Sequence, residues 1–266
     1  MLIFYIFEKL TTITMKHFIY ISLLIFYSNL FSQNFNHEIG VSAGAFSMQS
    51  DYKERTSDFV GQYRNVGYTA GLSYYISFDE TLRGWREKTQ FLKNHFRVKI
   101  EANYMQVELS HRGKSIYENT NPIDAKKMRA MIGNTKIYNI GGTLEYLLLD
   151  AYYDRKFEPY LAVGIYYTAY DADVKSELGD WKNDSSLIPN QYLTGNGSLK
   201  LNPSVTQSFS VGVGSRYNLR NATLVFDFKG QKFLSDDVDG LDPQSGENKN
   251  RDWVTIAQLG VVFKIN

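Results

Sequence analysis

The chain has 266 residues and no cysteine, which excludes a disulfide framework, thiolate metal sites, a cysteine nucleophile and a lipid-modified N-terminal cysteine. Its 29 Lys and Arg nearly balance 28 Asp and Glu, so net charge argues against a general nucleic-acid binder. Mean hydropathy is −0.33, but an average hides a membrane barrel, where only every second strand residue faces lipid, and the 20 Tyr and 17 Phe suit a membrane interface.

Residues 1–32 read as a signal peptide whose true start is Met15. Lys16 supplies the basic end, Phe18 to Tyr27 the apolar run, and Ser32 the small residue before cleavage. The apolar run is short for a span of about 20 residues. Residues 33–266 form the second unit, the barrel domain.

Eight alternating segments follow. In "EIGVSAGAF", Ile39, Val41, Ala43 and Ala45 oppose Glu38, Gly40, Ser42 and Gly44. "VGYTAGLSYYIS" sets Val66, Tyr68, Ala70, Leu72, Tyr74 and Ile76 against Gly67, Thr69, Gly71 and Ser73. "FRVKIEANYM" is the sharpest: Phe96, Val98, Ile100 and Ala102 against Arg97, Lys99, Glu101 and Asn103. "YNIGGTLEYLL" opposes Tyr138, Ile140, Leu144, Tyr146 and Leu148 to Asn139, Thr143 and Glu145. "PYLAVGIYYTAY" carries Leu161, Val163, Ile165 and Tyr167 on its apolar face. "SFSVGVGSRYNL" opposes Phe209, Val211, Val213 and Tyr217 to Ser208, Ser210 and Arg216. "TLVFDFKGQ" opposes Leu224, Phe226 and Phe228 to Asp227 and Lys229. "WVTIAQLGVVFKIN" presents Trp253, Ala257, Leu259, Val261, Phe263 and Ile265.

An even number of antiparallel strands can close, so the predicted fold is all-β: an eight-stranded antiparallel transmembrane up-and-down β-barrel with a filled polar lumen. With the N-terminus periplasmic, the inner turns are 79–94, 150–156 and 219–222, and the outer loops are 49–62, 111–133, 171–204 and 234–251. Long loops at one end fit an outer-membrane barrel, although 79–94 is long for an inner turn. Two aromatic girdles are predicted, Tyr74, Phe96, Tyr146, Tyr217 and Phe263 at the inner end and Tyr104, Tyr138, Tyr167, Phe209 and Trp253 at the outer. The lumen face collects Arg97, Lys99, Arg216, Lys229 and Lys264 with Glu38, Glu101, Glu145 and Asp227. Buried charges are costly unless paired, so a charge network and no open pore is the expectation.

This pattern resembles the small outer-membrane barrels of the OmpA and OmpW type. The ending "QLGVVFKIN" resembles their terminal assembly signal through Gln258, Gly260, Phe263 and Ile265, although Asn266 and not an aromatic ends the chain. "HEIGVSAGAFSMQSDYKER", "KMRAMIGNTKIYNIGGTLEY" and "DGLDPQSGENKNRDW" resemble an uncharacterised Bacteroidota family of small outer-membrane proteins. The resemblance implies fold and location and brings no activity.

Candidate chemistry is sparse. His37 and His95 fall near the inner rim. His111 falls at the outer rim beside Ser110 and near Ser115, with no acid in "SHRGKS" to orient it, although Glu118 could fold back. A solvated loop histidine is the plainer reading. Asp237, Asp239 and Asp242 around Gly240 are a candidate Ca²⁺ site off the EF-hand pattern, against a plain acidic turn. "NPIDAKKMRAM" reads as a short basic helix, capped by Asn121, whose cations would reach lipopolysaccharide phosphates or pair with acidic loop four. The expected role is a non-enzymatic envelope structural protein or accessory subunit of a surface or secretion complex, with no resident cofactor. Its expected partners are outer-membrane lipid, lipopolysaccharide, the barrel-assembly machinery and an envelope complex, not nucleic acid. The alternatives are a lipid A-modifying enzyme using His111 and a narrow solute channel.

Overall fold

In the computed structural model, residues 35–52, 65–78, 91–111, 122–149, 156–189, 192, 197–243 and 252–265 are described. The expected export signal lies outside them. Eight long strands are β1 (Phe35–Gln49), β2 (Val66–Phe78), β3 (Phe96–Ser110), β4 (Met131–Leu147), β5 (Phe157–Ser176), β7 (Ser204–Asn218), β8 (Thr223–Phe233) and β10 (Trp253–Ile265). They close in the order β1-β10-β8-β7-β5-β4-β3-β2, each antiparallel to its neighbours. Two short strands, β6 (Gly197–Leu199) and β9 (Leu241–Pro243), pair with each other outside the barrel wall. Helix α1 (Phe91–His95) precedes β3, and α2 (Pro122–Ala130) precedes β4. The basic helix expected in loop two is therefore present; its cap Asn121 lies outside the described residues. Both barrel termini share one end, called here the terminal end; the long connections crowd the other, the loop end.

Alternation places the side chains. On β3, Val98 and Ile100 are exposed while Arg97, Lys99 and Glu101 are buried. The same holds round the wall, where Ile39, Leu72, Ile140, Val163, Val211, Phe226 and Leu259 all face outward and exposed. A barrel with apolar side chains outside and charges inside is built for lipid, not water. At the terminal end Phe91 of α1 packs on Phe96 and Tyr146, extending the aromatic girdle there.

The strands run further than the hydropathy pattern suggests. β4 begins at Met131, not near Tyr138, and β5 continues to Ser176, so the expected loop limits 133 and 171 fall within strands. Past the loop-end aromatics the polarity of the two faces reverses. On β3, Gln106 and Glu108 face out while Met105, Val107 and Leu109 are buried. On β4, Lys136 faces out and Ile137 and Met131 are buried; on β5, Asp171 and Lys175 face out and Tyr170 and Val174 are buried. The reason is the solvent: below the reversal the outer wall meets hydrocarbon, and above it the wall meets water and the apolar faces turn inward. The polar filling expected of the lumen thus occupies its terminal half, and an apolar core fills the loop half.

Candidate functional site

The terminal half of the lumen is a connected set of ion pairs. Lys99 Nζ lies 2.8 Å from Glu101 Oε2 and 2.8 Å from Asp227 Oδ2. Lys229 closes on the other oxygen of Glu101, and Arg216 on Glu38. Arg97 reaches Glu145 at 3.5 Å and Glu158 at 3.1 Å. Three tyrosines the sequence reading passed over complete it. Tyr160 donates to Asp227 and Tyr166 to Glu101, while the ring of Tyr75 lies 4.8 Å from the Arg216 guanidinium carbon. Glu158 was passed over too, and Asn218 donates to it at 2.7 Å. The signal for the tyrosines was available: Tyr75 shares the inward phase of Ser73, and Tyr160 and Tyr166 share the inward phase of Thr168. Lys264 stands apart from this set. It is in register with Glu38 but exposed at the terminal rim, because β10 has there run past its pairing with β8 and keeps β1 alone as neighbour.

Above the charges lies a neutral polar layer. Thr168 donates to Asn139 at 2.7 Å, and Gln231 donates to Ser208 at 2.7 Å. Next comes the apolar core of Phe46, Met48, Met105, Val107, Leu109, Ile137, Phe233, Val254 and Ile256. Loops three and four close it by inserting Ile188, Tyr192, Val238 and Leu241, all buried. The β6–β9 pair ties the two loops together, with Lys200 donating its amide to Gly240 at 3.0 Å. Gly240 has φ +84°, and a Cβ there would lie 2.8 Å from the Ala172 Cβ, so loop four can bend this closely only with glycine.

The candidate calcium ligands do not converge. Asp237 and Asp242 share the Lys200 ammonium, at 3.8 and 2.7 Å. Asp239 turns away to accept from the amides of Leu241 (2.8 Å) and Asp51 (2.9 Å). Among the described residues no three acidic or imidazole groups are placed to hold a metal ion. The physical reason is Lys200: a loop-three ammonium takes the position between Asp237 and Asp242. Loop four accordingly pairs with loop three through Lys200. Asp239 also donates its amide to Asp252 at 3.1 Å, and both carboxylates are fully buried. Burial pushes the Asp239 carboxyl up to about 7. Burial, with the Asp239 and Asp51 charges beside it, holds Asp252 well above the usual carboxylate range.

His111 is not a solvated loop residue. It is buried against the rings of Tyr52 (centroids 4.5 Å apart) and Tyr192 (5.7 Å), and burial lowers it to about 4. This places it inside the cap, away from the lipid-facing rim an outer-leaflet enzyme would use. Ser115 and Glu118 lie outside the described residues. His37 meets Tyr74 at 2.7 Å, and His95 meets the Leu147 carbonyl at 2.8 Å, both near the terminal rim. Helix α2 stands seven residues beyond Tyr138 on β4, roughly 20 Å along the strand. In the last strand Gln258 is buried and donates to Thr69 at 3.1 Å, Gly260 faces the lumen beside Ser42, and Phe263 and Ile265 face outward.

No protein-family model matches the chain, and no curated protein matches it. Solved structures do. The attachment invasion locus protein Ail of Yersinia pestis is 11% identical, with 86% of this chain and 98% of that one covered and a TM-score of 0.42. A major outer membrane protein from Thermus thermophilus is 13% identical, with 87% and 99% covered and a TM-score of 0.49. The N-terminal β-barrel domain of Pseudomonas aeruginosa OprF is 12% identical, with 87% and 100% covered and a TM-score of 0.36.

Proposed function

We propose that the chain is a non-enzymatic integral outer-membrane protein, an envelope structural protein or accessory subunit of a surface complex that acts through its loop-end cap. The N-terminus faces the periplasm and the loops face outward. One observation carries this reading: the lumen is occupied along its whole height, by paired charges in one half and an apolar core under interlocked loops in the other. Such a molecule offers a built surface and no passage. Outer-leaflet lipid and lipopolysaccharide surround its belt. Gln258, Gly260, Phe263 and Ile265 serve as the signal to the barrel-assembly machinery.

Capture of the tagged protein from gently solubilised membranes tests the accessory role. A reproducible envelope partner that is lost when the cap is loosened by Gly240→Val supports it. A lone monomer in every detergent counts against it and leaves a structural role. Lipid A from a deletion strain is expected to match the parent by mass spectrometry, and a changed acylation pattern would overturn the non-enzymatic reading.

A further inference from the structure

The outer wall carries an irregularity that the fold does not require. In the row Ile100–Gly142–Ile165 across β3, β4 and β5, the middle residue has no side chain, in a belt made mostly of branched and aromatic groups. Gly141 next to it is accounted for: a Cβ there would lie 2.2 Å from the Ile165 carbonyl oxygen. Gly142 is different. A Cβ there would meet nothing within 4 Å, and its φ is outside the left-handed region. A strand-interior glycine often marks a bulge, a tight bend or a close approach by another group, and the unbroken pairing of β4 through Gly142 on both sides argues against a bulge. The space above it is a groove of about 640 Å³, walled by Leu144, Val163, Phe209 and Val211.

A polar station lies directly above on the same strands. Tyr138 is four residues from Gly142 toward the loop end, about 13 Å along β4. Its ring stands 5.2 Å from Tyr104, whose ring is 6.2 Å from Tyr68. The hydroxyls of Tyr68 and Tyr104 both donate to Gln106 Oε1 at 2.7 Å, which holds the row in one orientation. In the next register Lys136 pairs across the strands with Gln106 on one side and Asp171 on the other.

We propose that this wall binds one acylated, phosphorylated saccharide of the outer leaflet, its acyl chain lying over Gly142 and its headgroup against Tyr104, Tyr138, Lys136 and Asp171. The proposal rests on the outer-membrane reading above. The charges select the ligand. Lys136 complements a phosphate, and Asp171 accepts from sugar hydroxyls; exposed tyrosine faces offer apolar surface to a sugar ring with their hydroxyls kept wet. A glycerophospholipid supplies the phosphate but not the saccharide ring, and Asp171 would then stand against an anionic headgroup.

The test uses the barrel refolded in detergent and titrated, by native mass spectrometry, with a phosphorylated acylated glucosamine disaccharide or with phosphatidylglycerol. The folded protein is expected to take one disaccharide lipid at least tenfold more tightly than phosphatidylglycerol. Gly142→Leu is expected to fill the groove and weaken that binding at least tenfold. Lys136→Ser and Asp171→Ser are each expected to weaken it several-fold at the headgroup. Circular dichroism and resistance to heat in detergent report folding separately, and Gly142→Ala replaces the leucine variant if that variant does not fold. Equal affinity for the two lipids, or binding indifferent to the Gly142 variants, would overturn the site and leave a non-selective lipid annulus. Failure of the wild-type chain to insert into vesicles would instead strike at the outer-membrane reading.

Discussion

Glu101 accepts from Lys99, Lys229 and Tyr166 at 2% exposure, so one carboxylate serves two cations, of which Lys99 also holds Asp227. Glu101→Ala takes away the carboxylate that Lys229 closes on and leaves Lys99 with Asp227, and the expected cost is roughly 3–5 kcal/mol in reversible denaturant unfolding in lipid. Glu101→Ala combined with Lys229→Met is expected to cost less than Glu101→Ala alone, because one stranded charge leaves with its partner. Ile100→Ala, on the lipid face of the same strand, is expected to cost less, since lipid moves into the space a rigid core would leave empty. Destabilisation by Ile100→Ala equal to that of Glu101→Ala would mean that the pair does not carry the network. The positions of Lys99 and Glu101 were legible from alternation alone. Their partners on β8 were not, because Asp227 and Lys229 are 128 residues away from Lys99 and Glu101 respectively, and only closure of the barrel brings β8 across the lumen.

At the scale of the element, β3 is one strand in two solvents. Its outward residues run Val98, Ile100, Ala102 and Tyr104 and then Gln106 and Glu108; its inward residues run Arg97, Lys99 and Glu101 and then Met105, Val107 and Leu109. Ile165→Arg, in the belt of β5, is expected to cost about 2–4 kcal/mol near the midplane. Val107→Asn, inside the apolar core, is expected to cost roughly 1–3 kcal/mol for an amide buried without a partner. Glu108→Gln, on the wetted face one residue on, is expected to change stability by less than about 0.5 kcal/mol. Unfolding midpoints of the three variants check the order, and a damaging Glu108→Gln with a harmless Val107→Asn would place the reversal elsewhere. The reversal is present in the sequence as "YMQVELS", but its apolar residues occupy the phase that carries charges lower down. Read with one fixed polarity for each face, the matching residues of β4 and β5 fall outside the alternating segments, and the loop-end limits of those two strands come out too early.

At the scale of the whole molecule, the lumen is filled by ion pairs and an apolar core, and loops three and four close over it. Planar-bilayer recording is expected to show no conductance; steady single-channel openings in the wild-type protein would overturn the sealed lumen. The cap is also expected to respond to pH. Asp239 is held up to about 7 in the folded protein, so its contribution is full below its ordinary value near 4 and is lost as pH rises through about 7. His111 is lowered to about 4, so its contribution is present above its ordinary value near 6.5 and is lost as pH falls toward 4. Hydrogen exchange of loop-four amides, corrected for intrinsic pH dependence, is expected to show the alkaline loss in the wild type. Asp239→Asn, which keeps an acceptor for the Leu241 amide and cannot ionise, is expected to shrink it, and Asp252, raised beside it, carries the remainder. An unchanged alkaline limb in that variant would assign the loss to another group.

The sequence by itself determined the eight-stranded barrel, the lipid-facing belt and the inward charges, because strand alternation and aromatic placement are local properties that any residue and its second neighbour reveal. It also reached the basic helix of loop two, through Pro122 and the composition that follows. What only the tertiary structure decided depends on groups far apart in the chain. Lys200 bridges Asp237 and Asp242, Glu158 and three tyrosines join the ion pairs, and His111 is drawn under Tyr52 and Tyr192 into a core that no single segment announces. A charge or an imidazole takes its meaning from the partner and the solvent it meets. In a closed barrel both are set by which strands stand opposite and by how far the wall rises out of the lipid.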